Sequence, residues 1–97
     1  MFDRPEEALE SKMPVLLVAV TLKPGRRKIP GARQLLVHRL AALRGIGAGT
    51  PSEATAGADL EATVWYDEPD VIRALLEALD TEEHVDSYEI VHVKRPT

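Results

Sequence analysis

The stretch Pro14 to Lys23 limits what this chain can fold into more than any other part of it, because it reads Pro-Val-Leu-Leu-Val-Ala-Val-Thr-Leu-Lys. Val15 to Val20 is unbroken apolar sequence, rich in valine and flanked by Pro14 and Pro24. That length and β-branching suit a strand buried on both faces, and the run falls far short of the roughly 20 residues a membrane helix needs. A strand with no polar face belongs in the middle of a sheet, with something covering each side. The rest of the chain has to supply those neighbours and covers.

Lys23 to Gly31 contains Pro24, Gly25, Pro30 and Gly31 and reads as a turn-rich loop. A helix opens at Gly31 or just after and runs to Arg44. Leu36, Leu40 and Leu43 form its stripe, widened by Leu35 and Val37, while Gln34, His38 and Arg39 face water. Gly45 is its left-handed stop. Ile46 to Ala58 is small, polar and interrupted by Pro51, which predicts a poor edge strand and a flexible hairpin loop. Leu60 to Tyr66 alternates, with Leu60, Ala62, Val64 and Tyr66 on one face and Glu61, Thr63 and Trp65 on the other. Asp67 suits an N-cap and Pro69 a first helical turn, and Ile72, Leu75, Leu76 and Leu79 give the next helix its stripe. Asp80 to His84 is a polar extension, and Val85 to Lys94 is the last strand.

Strand, helix, weak strand, strand, helix, strand is the split βαβ order. The expected fold is therefore α+β: a ferredoxin-like βαββαβ sandwich with a four-stranded antiparallel sheet, two helices on one face, and strands one and three in the middle. Residues 14–97 form this single domain, and residues 1–13 are read as a flexible N-terminal arm. A chain of 97 residues holds one core and buries only about 60–65% of its unfolded surface. It has no cysteine, which rules out disulfides, thiolate metal sites and a cysteine nucleophile, and suits a cytoplasmic location.

Two features point to self-association. In a two-layer sandwich one sheet face lacks helices, yet strand one is apolar on both. Either Leu16, Val18, Val20 and Leu22 or their neighbours Val15, Leu17 and Ala19 point away from the helices. Leu16, Val18 and Val20, with Trp65, are taken as the oligomer interface, a second copy being the simplest cover. The charges also divide along the chain. Lys12 to Arg44 is basic without an acid, and from Glu53 to Glu89 the only base is Arg73. Two copies can set one half against the other.

The candidate ligand site is the basic loop, where Lys23, Arg26, Arg27, Lys28 and Arg33 stand beside a helix start and would favour an anionic small molecule. It has no P-loop pattern. Few aromatics (Phe2, Trp65, Tyr66 and Tyr88) and a net charge of −4 argue against nucleic acid. His38, His84 and His92 lie near Glu82, Glu83, Asp86 and Glu89 without metal-ligand spacing, so no metal and no cofactor is expected. Asp67, Glu68 and Asp70 are read as helix-terminal residues, and no nucleophile-base pair stands out, which favours a non-enzymatic role.

In element order the chain resembles the ACT and PII-like small-molecule sensor domains. The likeness lies in Val15-Leu16-Leu17-Val18-Ala19-Val20, in Leu43-Arg44-Gly45-Ile46-Gly47-Ala48-Gly49 and in Asp86-Ser87-Tyr88-Glu89-Ile90-Val91-His92-Val93. It implies a homo-oligomeric regulatory module binding an amino acid or nucleotide near Lys23 to Arg33. The chain departs from PII-like proteins in having only Thr50 to Asp59 where they carry a long signalling loop. Val20-Thr21-Leu22-Lys23-Pro24-Gly25-Arg26 and Val64-Trp65-Tyr66-Asp67-Glu68-Pro69 resemble dimeric α+β barrel monooxygenases of the antibiotic-biosynthesis type. That likeness implies an enzyme with an apolar pocket beside Trp65. A structural subunit of a larger assembly is the third reading.

Overall fold

The computed structural model describes residues 14–92, so the expected arm and the last five residues lie outside it. Four strands form one antiparallel sheet in the order β2-β3-β1-β4, with β1 at Leu16–Leu22, β2 at Ile46–Gly49, β3 at Leu60–Val64 and β4 at Val85–His92. Helices α1 (Ala32–Ala41) and α2 (Pro69–Thr81) complete the ferredoxin-like βαββαβ order. Among the described residues no helix is long and apolar enough to cross a membrane.

The register decides which row of β1 meets the helices. Leu16 lies opposite Val64 and Val18 opposite Ala62, while Val64 and Ala62 lie opposite Ile46 and Ala48 of β2. This row packs with Leu36 and Leu40 of α1 and Val71, Leu75 and Leu79 of α2 into one core. The assignment of Leu16, Val18 and Val20 to an oligomer interface is therefore corrected: they are 7%, 1% and 0% exposed within a single chain. Strand alternation then places Leu17, Ala19 and Thr21 on the open face.

Local chemistry sets the element ends. Gly31 precedes α1 at φ 84°, a left-handed conformation that costs a side-chain-bearing residue about 1–2 kcal/mol. The helix stops at Ala41, three residues before the expected Arg44, because the Leu43 N–H bonds the Leu40 carbonyl in a tighter turn. Gly45, at φ 76°, then reverses the chain as expected. Leu35, expected to widen the stripe, is exposed, and Ala32 is buried instead. In α2 the N-cap is Glu68 rather than Asp67, with Pro69 in the first turn, and Val71 joins Leu75 and Leu79 in the core.

The β2–β3 connection also differs from a plain hairpin loop. Glu53–Thr55 forms a 3₁₀ turn with a Ser52/Thr55 capping box, and Thr55 is only 2% exposed. Three ion pairs, Arg27–Asp59, Arg39–Glu82 and Arg44–Glu68, join the basic first half to the acidic second half of the same chain. These three pairs take up part of the charge division within a single chain.

Candidate functional site

The basic loop begins where β1 ends. Pro24–Arg27 makes a single helical turn, closed by the Arg26 and Arg27 N–H groups on the Lys23 carbonyl at 2.9 and 3.0 Å. The Lys23 N–H donates to the His84 carbonyl at 2.9 Å, which ties the turn to the start of β4. The side chain of His84 keeps a buried Nδ1 with no hydrogen-bond partner among the described residues.

The five expected bases separate into two groups around Asp59. The Asp59 carboxylate accepts the Leu22 N–H at 2.7 Å and pairs with Arg27 Nε at 3.0 Å, while Arg27 also donates to the Leu22 carbonyl at 3.3 Å. Arg33 Nε donates to the Asp59 carbonyl at 2.8 Å, and its second nitrogen reaches the Thr50 hydroxyl at 3.4 Å. Arg27 thus fastens the turn, and Arg33 the start of α1, to the β2–β3 connection. Lys23, Arg26 and Lys28 have no ion pair or side-chain hydrogen bond among the described residues, and Lys23 and Lys28 are exposed. Asp59 is the residue sequence reasoning missed. Its partners lie 26 to 37 positions away, beyond any local pattern.

A second concavity lies at the opposite end of β2. Ala41, Leu43, Gly45, Ile46, Trp65 and Tyr66 line a cleft of about 470 Å³. Trp65 lies over β2, its Nε1 standing 3.4 Å from where a Cβ on Gly47 would be. Tyr66 lies against Gly45, where a Cβ would come within 2.8 Å of its ring. Arg44 stands 5.5 Å over the Tyr66 ring and bonds Glu68 at 2.9 Å. That hydrogen bond holds the Glu68 carboxyl below its ordinary value and raises the Arg44 guanidinium.

The open sheet face has one covered end. Glu61 accepts the Ser52 hydroxyl at 2.6 Å and the Thr55 hydroxyl at 2.8 Å, drawing the 3₁₀ turn onto the sheet. Burial pushes the Glu61 carboxyl up, but the Ser52 and Thr55 hydroxyls, the Ser52 N–H and the Thr63 hydroxyl together outweigh it and hold the group below 4.5. At the other end Leu17 lies opposite Thr63 and Val91, all part-exposed, with Trp65 bordering them. No known protein family matches the chain, and no curated protein matches it.

Proposed function

We propose that the chain is a non-enzymatic, homo-oligomeric ligand-binding module that takes an anionic small molecule at Lys23, Arg26 and Lys28. One observation carries the reading: Arg27 is ion-paired with Asp59 and Arg33 is hydrogen-bonded to the Asp59 carbonyl, while the other three bases of the loop make neither an ion pair nor a side-chain hydrogen bond among the described residues. A loop held at Arg27, at Arg33 and at the Lys23 N–H presents those charges with little ordering left to lose on binding. Such a role agrees with the resemblance to small-molecule sensor domains, and a cysteine-free chain suits a cytoplasmic setting.

The part-exposed Leu17 and Val91, bordered by Trp65, support self-association, since apolar surface left in water forgoes about 25 cal/mol per Å². Calorimetry with inorganic phosphate and a nucleoside triphosphate at low ionic strength tests the ligand reading. Binding should weaken as salt rises and fall at least tenfold in the Lys23→Glu/Arg26→Glu double variant. No salt-sensitive anion binding by the wild type overturns it.

A further inference from the structure

We propose that the cleft beside Trp65 is a second ligand site, separate from the basic turn, that takes a neutral planar aromatic molecule of one or two rings bearing a carbonyl or hydroxyl oxygen. Its volume of about 470 Å³ lies within the roughly 300–1,000 Å³ range of small-molecule pockets. Ala41, Leu43 and Ile46 line it with aliphatic surface, and Trp65 and Tyr66 add two rings for stacking or edge-to-face contact. The aromatic side is held from behind. Tyr66 is set against Gly45, and Arg44 over the Tyr66 ring is itself held by Glu68.

Two further observations narrow the ligand class. The Trp65 indole N–H has no acceptor among the described residues and stands over Gly47, next in the chain to the cleft-lining Ile46, where it is a donor for an oxygen at the cleft's edge. Charge disfavours an anion here: Arg44, over the Tyr66 ring, is paired with Glu68, and Asp67 and Asp70 follow close behind Tyr66 in the chain. The two sites therefore select opposite chemistry, an anion at the basic turn and an uncharged ring here.

Trp65 is the only tryptophan, so its fluorescence comes from the cleft wall and the sheet edge it borders. Acetophenone, a neutral aromatic ketone, should quench it saturably, with an affinity at least tenfold tighter than benzoate or cyclohexanone. Ala41→Phe, at an exposed helix position, fills the cleft and should weaken acetophenone at least tenfold, and Ala41→Met should do so less. The Lys23→Glu/Arg26→Glu variant should bind acetophenone as the wild type does, which separates this site from the anion reading. Non-saturating quenching, equal affinity for benzoate, or wild-type affinity in both Ala41 variants overturns the proposal. Quenching that fades as protein concentration rises also overturns it, by showing that a second copy fills the cleft.

Discussion

The open face of the sheet is closed at one end and bare at the other, although both ends belong to the same three strands. At the closed end Ala19, Thr21 and Glu61 lie beneath the Ser52–Ala58 connection, and hydroxyl groups converge on the Glu61 carboxylate. At the bare end Leu17, Thr63 and Val91 carry no such cover from the described chain, and Trp65 spans only toward Gly47. The difference follows from connectivity. The β2–β3 link leaves the sheet at Gly49 and returns at Leu60, so it folds back only over the end from which it springs. A polar network closes that end because Ser52 and Thr55 of the loop reach Glu61, whereas at the bare end Leu17 and Val91 offer such a network no partner.

The largest expected effect sets the helix face against the whole of the open face. Leu75→Ala removes a side chain that is 0% exposed beneath α2 and should cost about 2–5 kcal/mol in urea unfolding. Leu17→Ala, one sheet thickness away and part-exposed, should cost roughly 1 kcal/mol or less if its face stays in water. Similar losses at the two positions would show that Leu17 is buried in solution, and would sharpen the case for association.

Next in size is the closed end. Glu61→Gln leaves the Ser52 and Thr55 hydroxyls with a weaker, uncharged acceptor and should cost about 1–3 kcal/mol at pH 7. The pH dependence has a definite sign. Because the folded Glu61 carboxyl lies below its ordinary 4.5, its contribution is present above that pH and is lost as pH falls through the lower, folded value. The wild type should therefore lose stability on acidification below about pH 4.5 more steeply than Glu61→Gln does. Parallel thermal-shift curves for the two proteins would break the argument.

Trp65→Glu tests the bare end. It should shift the protein from a dimer or larger species to monomer in sedimentation and lower its melting temperature. A wild type that sediments as a stable monomer at tens of micromolar sinks the association half of the proposed function and leaves the anion half standing. The smallest expected effect is at the basic turn, where Lys23→Glu should change stability by no more than about 0.5 kcal/mol, since Lys23 makes no ion pair among the described residues. Asp59→Ala, which releases the Leu22 N–H and Arg27, should cost more than that.

Much of the fold was legible because it rests on local rules. The apolar Val15–Val20 run forced a central strand, the alternation of Leu60–Val64 oriented its neighbour, and Pro69 with Leu75 and Leu79 marked the second helix. Gly45 takes the left-handed conformation expected of it, but it turns the chain into β2 after α1 has already ended at Ala41. The site was only half legible. Composition singled out the five bases of the loop, but which of them are held within the described residues depends on Asp59, whose hydrogen bonds reach Leu22, Arg27 and Arg33 across the fold.

What the sequence determined alone was periodicity and punctuation: which segments are strands or helices, where they turn, and that β1 has no polar face. Tertiary structure decided which row of β1 is core, because a strand apolar on both faces carries no signal about the side the helices will take. It also matched the basic half to the acidic half within one chain, since ion pairing depends on approach in space and the partners stand 24 to 43 residues apart. The cleft beside Trp65 is of the same kind: α1, β2 and the residues just after β3 each supply part of its wall, and only their packing brings those parts together.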